Sequence, residues 1–439
     1  MNVVVVGAGK MGLPLACQIA SQGATVVACD VRQAVVDEIN RGVCPIDEPG
    51  VPELLESAVK AGRLSATTDT PAAVAEADVV LVIVPALLTD DNDADLSILT
   101  SVSEQVAGAM RRGTLVSYET TVPIGTTRRV FMPILERSGL TAGSDFDLAY
   151  SPERVKSNLV LKHLTQTPKI VGGVTPAAAE RAVEFYGRYL RAPVENVGPL
   201  EAAEMVKVAG MIYRDVNIAL ANEMARYAEA VGVDFWRVIE CANTDGEAYI
   251  LQPGIGVGGH CTPVYPYFMI RDAQRHGTPV TLAERSRQIN DTQVAHLLDR
   301  LERAYGDLAG KNVMILGLAF RPRVKEVILS PAFLLRRELE QRGATVTLDD
   351  PLYSDAEIER QGFVPAHIGE RSGADVVILN TAHPEYIDLD FERLAQNGVK
   401  AVVDGRGLWD AARIRAAGLR YVGVGSPEDA PSRVQEPAA

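Results

Sequence analysis

The sequence is poor in cysteine, has no long apolar run and carries no excess of basic residues. Its 5 cysteines are scattered over 439 residues without the CxxC or Cys/His spacing of a zinc site, which argues against both a disulfide framework and a structural metal. No apolar stretch approaches the about 20 residues that span a bilayer, so no membrane association is indicated. The net charge of -14 argues against non-specific nucleic-acid binding.

The composition is that of a multidomain globular protein. At 439 residues, with 47% hydrophobic and 23% charged side chains, the chain is long enough for two or three domains. The N-terminus shows neither a basic region before an apolar segment nor a cleavable signal, so we expect a cytoplasmic protein. Residues 426–439 are rich in Pro, Glu, Asp and Ala and are predicted to be disordered.

The N-terminal third opens with the pattern of a dinucleotide-binding turn. An apolar β-branched strand at 3–6 leads into GAGKMG at 7–12, and a helical pattern follows. Gly7 permits the tight turn, Gly9 lets the backbone approach a pyrophosphate, and Gly12 lets the helix pack on the strand. The alternative, a purely structural turn, is less favoured because strand, turn and helix occur in order.

An acidic residue follows the second predicted strand. Asp30 comes 18 residues after Gly12, where a carboxylate accepts the ribose hydroxyls of NAD. The same carboxylate repels the extra phosphate of NADP, although the nearby Arg32 makes that exclusion incomplete. We therefore predict NAD as the cofactor.

Polar side chains and a proline follow three further predicted strands. Loops at the carboxyl ends of strands in an open α/β sheet face the ligand crevice. Pro85 ends the first of these strands, and Thr121 lies in the hydroxyl-rich stretch after the second. Glu153 and Arg154 follow the third. Glu153 could be a general base and Arg154 could clamp a phosphate or carboxylate, or the two could form a surface ion pair. The strands are predicted at 77–84, 114–118 and 147–150.

One long helical pattern runs without a breaker from about Leu200 to Val231. It is apolar over most of its surface, which predicts burial between domains or subunits. Lys207 and Arg214 share a face with Met211 and Ile218 by the i, i+3/i+4 rule. Either these cations meet an anionic ligand, or they are solvated surface side chains.

A glycine-dense stretch at 254–259 precedes Cys261. Glycine permits close approach of the backbone to a ligand, and Pro263 and Pro266 stiffen the exit. The stretch could present a nucleophilic thiol, or it could be a loop with an incidental buried cysteine.

The C-terminal third repeats the opening theme of strand, glycine and helix at 312–320. Polar residues follow its predicted strands and line one edge: Asp349-Asp350, Thr381 to His383, and Asp404 to Arg406. The predicted fold class is α/β, with two Rossmann-like doubly wound domains joined by a long central helix.

Seven motifs, in this order along the chain, resemble the nucleotide-sugar 6-dehydrogenases, the UDP-glucose/GDP-mannose dehydrogenase family. The resemblance extends to about residue 410. The motifs are GAGKMGL, ETTVPIGTT, SPERV, the helix EAAEMVKVAGMIYRDVNIALANE, GVGGHCTPV, LGLAFRP and VVDGRG.

The resemblance implies an enzyme that oxidises C6 of a UDP-sugar to a carboxylate with two NAD in succession. It implies that Cys261 forms a thiohemiacetal and then a thioester, that Lys207 stabilises the oxyanion, and that Glu153 activates water with help from Thr121. It also implies a homodimer or a dimer of dimers through the long helix. The implied cofactor residues are Gly7, Gly9, Lys10, Met11, Gly12, Asp30, Arg32, Pro85 and Thr121. The implied substrate residues are Glu153, Arg154, Val155, Lys207, Arg214, Asn217, Gly256, Gly258, His260, Phe320 and Arg321.

The implied domains are an NAD-binding domain at 1–198, a central dimerisation and catalytic-cysteine region at 199–305, and a UDP-sugar-binding domain at 306–425. The stretches around Glu153, Arg214 and His260 resemble the N-acetylhexosamine branch, closest to UDP-N-acetylmannosamine dehydrogenases. We therefore expect UDP-N-acetylmannosamine or UDP-N-acetylglucosamine as substrate, with UDP-glucose as the alternative.

The chain departs from the family pattern at several positions. Met211 stands where Asn is frequent, Tyr265 where Asp is usual, and Ile328 where Arg commonly precedes Ser-Pro; the VPTP-like turn has become Val84 to Leu87. Two other readings therefore stay open: a single-step dehydrogenase that needs no cysteine, and a non-catalytic nucleotide-sugar-binding protein.

Overall fold

The computed structural model describes residues 1–370 and 372–427. The predicted disordered tail lies, from residue 428 onward, outside the described residues. The chain divides into two compact units, the first made of residues 1–210 and 267–279 and the second of residues 211–266 and 280 onward. The three-domain division with boundaries after residues 198 and 305 remains a prediction.

The first unit contains an eight-stranded sheet and a short antiparallel hairpin. Its strands are β1 (Asn2–Val6), β2 (Thr25–Cys29), β3 (Leu64–Thr67), β4 (Val79–Val82), β5 (Leu87–Leu88), β6 (Ala94–Asp95), β7 (Leu115–Tyr118), β8 (Asp147–Tyr150), β9 (Lys169–Gly173) and β10 (Val194–Pro199). The order across the sheet is β10-β9-β8-β7-β4-β1-β2-β3, and β5 pairs with β6. Only the β8–β9 pairing of this sheet is antiparallel.

Helices cover this sheet. They are α1 (Gly12–Ser21), α2 (Gln33–Asn40), α3 (Val51–Lys60), α4 (Thr70–Ala75), α5 (Ser97–Ala107), α6 (Met132–Leu135), α7 (Val160–Gln166) and α8 (Pro176–Leu190). A π-helical turn, Thr127–Phe131, precedes α6, and a 3₁₀ turn, Glu136–Ser138, follows it.

The apolar strand β1 is buried on both faces of the sheet. Successive side chains of a strand point to opposite faces. Val3 and Val5 accordingly belong to one core cluster, while Val4 and Val6 belong to the cluster on the other face. A parallel strand that is buried on both faces needs such an unbroken apolar run.

The second unit contains a six-stranded sheet in which all pairings are parallel. Its strands are β11 (Asn312–Leu316), β12 (Thr345–Asp349), β13 (Val364–Pro365), β14 (Val376–Leu379), β15 (Ala401–Asp404) and β16 (Arg420–Gly423), in the order β13-β12-β11-β14-β15-β16.

The remaining helices include the long one that the sequence predicts. They are α9 (Leu200–Ala230), α10 (Phe235–Ala242), α11 (Tyr265–Arg275), α12 (Thr281–Asp291), α13 (Gln293–Tyr305), α14 (Pro331–Gln341), α15 (Asp355–Arg360), α16 (Phe391–Gln396) and α17 (Ala411–Ala416), with a 3₁₀ turn at Pro384–Tyr386. No helix in the described part of the chain is long and apolar enough to cross a membrane.

The predicted fold class, two doubly wound α/β sheets and a long central helix, is confirmed. The sequence after Cys261 has a helical pattern to about Tyr305, and the structure divides this stretch into three helices, α11, α12 and α13. Gly277 adopts φ +67 and Pro279 follows it, so the first break has a backbone cause.

Candidate functional site

The turn after β1 has the geometry of a phosphate-binding turn. Gly7 adopts φ +107, and its N–H donates to the carbonyl of Cys29 at 2.8 Å. A Cβ added to Gly9 would meet no atom within 4 Å, whereas one at Gly12 would lie 1.8 Å from the Gly7 oxygen. Gly12 is thus needed for packing, while Gly9 leaves open space in front of the backbone. That open space is what a pyrophosphate requires, so these residues fit a dinucleotide.

Asp30 follows β2 beside this turn. Its Oδ1 accepts from the N–H of Arg32 at 2.9 Å and from Arg32 Nε at 3.1 Å, and the Asp30 side chain is only 9% exposed. Arg32 itself is largely exposed. Asp30, the predicted acceptor for the ribose, and Arg32, which is expected to make the exclusion of NADP incomplete, therefore form an ion pair with each other.

The other predicted cofactor residues differ in burial. Lys10 and Pro85 are exposed, while Thr121, in the loop after β7, is 3% exposed. Met11 lines a cavity together with Glu153, Arg154 and further residues of this unit. The first turn of α1 and the segment after β8 thus border the same space.

Lys207 and Glu153 are brought together within the first unit. The Lys207 ammonium donates to the Glu153 carbonyl oxygen at 2.7 Å and lies 3.6 Å from its Oε2. The Lys207 side chain is 7% exposed. Glu153 Oε1 also accepts from the N–H of Val155. A buried ammonium beside a partly exposed carboxylate can stabilise negative charge on a neighbouring oxygen.

A buried ion pair lies next to this pair and was not anticipated from the sequence. Lys169 Nζ donates to Glu119 Oε2 at 2.6 Å, with both side chains less than a tenth exposed. Tyr186 donates to Glu119 Oε1 at 2.8 Å, and burial first, then Glu119, raises the pKa of that phenol well above its ordinary value. Since Glu119 and Lys169 are 50 residues apart, no local spacing signals the pair.

The glycine stretch before Cys261 is fixed along its length within the second unit. The N–H of Gly254 donates to Asn222 Oδ1 at 2.9 Å, and that of Gly259 donates to the Ile328 carbonyl at 2.9 Å. A Cβ on Gly258 would lie 2.5 Å from Phe320 Cβ. Glycine is required here by close packing rather than by flexibility.

Cys261 lies in the turn that leads into α11, four residues before the helix begins at Tyr265. Its carbonyl accepts from the N–H groups of Val264 at 3.2 Å and Tyr265 at 2.9 Å, which start the helix. The N-terminal end of a helix favours negative charge, so the chain ahead of α11 is suited to a reactive anion. Tyr265, which replaces the usual Asp, is the first residue of that helix.

Arg406 of the DGRG motif supports the same stretch and was not among the predicted site residues. Its Nε donates to the Asn380 carbonyl at 2.6 Å and its Nη1 to the Gly256 carbonyl at 3.4 Å. Burial lowers the pKa of this guanidinium to about 10, although Asp404 partly offsets the effect. Its position just past β15 and its place in the VVDGRG motif were the signals that could have identified Arg406.

The remaining predicted substrate residues have varied surroundings. Asn217 is engaged by backbone, donating to the Tyr249 carbonyl at 2.7 Å and accepting from the N–H of Leu251 at 3.0 Å. The Arg321 guanidinium lies 5.6 Å from the ring centre of Phe320. Three are exposed: Arg154, Arg214 and His260.

Family models cover most of the chain. They describe the UDP-glucose/GDP-mannose dehydrogenase family: its NAD binding domain matches residues 1–190, its central domain 201–292 and its UDP binding domain 314–411.

Similar proteins extend over nearly the full length. An NDP-N-acetyl-D-galactosaminuronic acid dehydrogenase of Ralstonia nicotianae is 34% identical, covering 94% of this chain and 98% of its own length. A UDP-N-acetyl-D-mannosamine dehydrogenase of Pyrococcus horikoshii is 34% identical, covering 93% and 96%.

Solved structures agree with these relationships. The structure of the UDP-N-acetyl-D-mannosamine dehydrogenase from Pyrococcus horikoshii matches with a TM-score of 0.88 at 32% identity, over 98% of this chain and 100% of that one. A UDP-glucose dehydrogenase from Pyrobaculum islandicum matches with a TM-score of 0.86 at 29% identity, over 97% and 98%. The chain therefore belongs to the UDP-glucose/GDP-mannose dehydrogenase family and is an NAD-dependent nucleotide-sugar dehydrogenase.

Proposed function

We propose that the protein oxidises the C6 hydroxyl of a UDP-N-acetylhexosamine, with the mannosamine or glucosamine configuration, to the uronic acid. The observation that carries this proposal is the buried Lys207 ammonium against Glu153, an arrangement suited to an oxyanion on C6 and to an activated water. The N-acetylhexosamine is favoured over glucose because relatives named for acetamido sugars share 34% identity over almost the whole chain.

The cofactor residues lie around the turn after β1. The turn residues Gly7 to Gly12 would hold the pyrophosphate of NAD, and Asp30 its ribose, with Arg32, Pro85 and Thr121 bordering the same site. NAD, when bound, accepts the hydride that each oxidation removes from C6.

Cys261 carries the covalent chemistry of this proposal. Its thiolate adds to the C6 aldehyde produced by the first oxidation, forming a thiohemiacetal. The second oxidation removes the hydride on C6 and the hydroxyl proton, leaving a thioester, and water then cleaves the C–S bond to release the carboxylate and the thiol. Covalent capture keeps the aldehyde from escaping between the two oxidations.

Lys207, Glu153 and Thr121 act on charge and protons. Lys207 stabilises negative charge on the C6 oxygen, and Glu153 takes a proton from the hydrolytic water, which Thr121 helps to hold. Met211 and Tyr265 stand where the family usually has Asn and Asp, so Lys207 carries more of the oxyanion stabilisation alone.

The remaining predicted residues bind the substrate in this proposal. The sugar and its phosphates are bound by Arg154, Val155, Arg214, Asn217, Gly256, Gly258 and His260, and the UDP by the C-terminal part with Phe320 and Arg321. Arg154, Arg214 and His260 are exposed. UDP-glucose is the alternative substrate, and the loss of the usual Asn and Asp keeps a non-catalytic sugar-binding protein as the second alternative.

The experiment is NADH yield per sugar for purified protein with NAD and five sugars in turn: UDP-glucose, UDP-GlcNAc, UDP-ManNAc, UDP-GalNAc and GDP-mannose. The proposal predicts two NADH per UDP-ManNAc or UDP-GlcNAc. The same yield from UDP-glucose alone would retain the mechanism and overturn the substrate. Binding of a UDP-sugar without any NADH would favour the non-catalytic alternative.

Replacing the nucleophile tests the covalent step. Cys261→Ala should lower the rate of uronic acid formation by at least about a thousandfold, because the thioester cannot form. The exposed Cys241 provides the matched control, and Cys241→Ala should retain wild-type turnover. Full turnover by Cys261→Ala would instead support the single-step dehydrogenase. The readout is uronic acid by mass spectrometry.

We further propose that the protein forms a homodimer through α9. Tyr213, Leu220, Met224 and Tyr227 are exposed large apolar side chains at i, i+7, i+11 and i+14, so they share one face of the helix. Leu220→Glu combined with Tyr227→Glu should convert the dimer to a monomer, as measured by light scattering. A wild-type monomer would contradict this proposal, whereas a tetramer would indicate a dimer of dimers.

A further inference from the structure

Glu204 is a fully buried carboxylate that the proposed chemistry does not use. It lies in the second turn of α9, is 0% exposed, and precedes Lys207 by three residues on the same face of the helix. A buried carboxylate is costly unless its oxygens are hydrogen-bonded. The partners of Glu204 therefore indicate what the side chain is for.

Both oxygens accept from backbone N–H groups of the segment that follows β7. Oε1 accepts from the N–H of Thr127 at 2.8 Å, and Oε2 accepts from the N–H of Gly125. Gly125 adopts φ +81, so the turn around it departs from regular secondary structure. One side chain of α9 thus fixes the end of the loop after β7 and the first residue of the π-helical turn that follows it.

That loop, residues 119–126, carries Thr121. Its start is anchored to the sheet, since the N–H of Glu119 donates to the Val82 carbonyl at 2.9 Å and Tyr150 donates to the Thr120 carbonyl at 3.1 Å. Its end is anchored by Glu204. Lys207, one turn further along α9, is anchored in its turn to Glu153.

We infer that Glu204 is a positioning residue that locks the first turns of α9 to the loop 119–126 and thereby sets the Lys207 ammonium relative to the Thr121 hydroxyl. The inference rests on the proposed function, in which these two side chains serve the reaction. The ionised carboxylate is the active form, because only it accepts at both oxygens without presenting a proton to either N–H group.

The charges around Glu204 set the pH range of this lock. Burial raises the pKa of Glu204 to about 7, against the opposing effect of the Gly125 and Thr127 N–H groups, and Glu201 adds a small further increase. The facing charged groups are Glu201 on α9 and Arg128 on the π-helical turn, which pair with each other at 2.6 Å. As the pH falls through this pKa, Glu204 gains a proton and the lock loses one acceptor.

The stability linkage has the opposite sign to the effect on activity. With a raised pKa, the folded state binds the proton more tightly than the unfolded state, so ionisation of Glu204 costs stability as the pH rises toward 7. Glu204→Gln removes that cost together with one backbone hydrogen bond. A merely structural cap would lose stability on this substitution, whereas a positioning residue loses turnover.

The matched variants are Glu204→Gln and Glu201→Gln, one turn apart on the same helix. Well above the pKa of Glu204, Glu204→Gln should turn over about tenfold more slowly with KM values within about threefold of wild type and an unchanged melting temperature. Below that pKa the two enzymes should converge. Glu201→Gln should follow wild type throughout.

Hydrogen exchange of peptides spanning 119–131 gives a second readout that needs no turnover. After correction for the intrinsic pH dependence of exchange, wild type should be protected at alkaline pH and lose protection in acid, and Glu204→Gln should be unprotected at both. Equal exchange in the two proteins would overturn the inference. So would a rate ratio that is independent of pH, or a lower melting temperature with unchanged kcat. If wild type turns over no nucleotide sugar while the exchange still differs, the proposed function fails and the lock stands.

Discussion

The two sheets of the molecule contain the same turn in two different states. In each, the first strand ends at a glycine with positive φ, and that glycine's N–H donates to the last carbonyl of the second strand: Gly7 to Cys29 at 2.8 Å, and Gly317 to Asp349 at 2.7 Å. In each, an aspartate follows or ends the second strand. The backbone geometry is shared, and the difference lies in what occupies the space in front of the turn.

In the second sheet the protein supplies its own anion. Asp350 Oδ2 accepts from the N–H groups of Leu318 at 2.6 Å and Ala319 at 3.1 Å, and His383 Nε2 lies 3.3 Å from it. In the first sheet, Asp30 pairs with Arg32 and leaves the space at Gly9 open. The first turn leads directly into α1 and stays open to a phosphate group. The second is filled by an internal carboxylate, and the helix predicted to follow it at once begins only at Pro331 (α14).

The largest effect is expected at Gly9. Gly9→Val should weaken NAD binding by at least about a hundredfold, because the added side chain takes the space of the pyrophosphate. Since a Cβ there meets no protein atom within 4 Å, the melting temperature should not change. Calorimetric titration with NAD measures the first effect, and Gly9→Ala, with a smaller intrusion, should lose less. NAD affinity at the wild-type level in Gly9→Val would show that the turn after β1 does not hold the cofactor.

The second sheet should respond in stability instead of cofactor binding. Asp350→Ala leaves two buried N–H groups without an acceptor and should cost about 3 kcal/mol of unfolding free energy, with NAD affinity unchanged. Urea unfolding and NAD titration of the same preparation measure both. Reduced NAD affinity at unchanged stability would mean that the second turn is a cofactor site after all.

The same variant has a pH signature. Burial alone would raise the pKa of Asp350, but His383 and the backbone N–H groups outweigh it and hold that pKa below its ordinary value. A lowered pKa gives stability above the ordinary aspartate pKa, and this is lost as the pH falls through the lowered value. The stability gap between wild type and Asp350→Ala should therefore be full at neutral pH and close in acid.

A smaller effect is expected at Asp30. Asp30→Asn removes the charge that repels the 2′-phosphate and releases Arg32 from its ion pair, so affinity for NADP should rise about tenfold while affinity for NAD stays within about threefold. Titration with both cofactors measures the ratio. An unchanged ratio would show that Asp30 does not face the ribose.

Much of the fold could be predicted because its central strands are continuous apolar runs. The strands Asn2–Val6 and Val376–Leu379 could be recognised in this way, and Gly7 directly follows the first of them. The strands β3 and β10 could not be recognised, since Leu64–Thr67 is short with small side chains and Val194–Pro199 is largely exposed. The antiparallel β8–β9 pairing depends on tertiary packing that no local pattern encodes.

The residues of the site also fall into two groups, those that could be named from the sequence and those that could not. Motif residues such as Lys207 and Glu153 could be named from the sequence, and the structure brings these two together. The residues that hold them could not, because Glu204 meets Gly125 across 79 positions and Lys169 meets Glu119 across 50. Contacts between residues so far apart in the sequence leave no local spacing pattern from which they could be predicted.

A single open turn has a consequence for the order of the two oxidations. If two oxidations of one sugar use a single cofactor site, the half-oxidised sugar has to stay bound while the cofactor is exchanged, and a bond to Cys261 would hold it. The most direct test is the number of NAD bound per chain, by equilibrium dialysis of wild type, Gly9→Val and Asp350→Ala. We expect one NAD per chain in wild type, none in Gly9→Val and one in Asp350→Ala. Two per chain in wild type, or one that survives Gly9→Val, would contradict it.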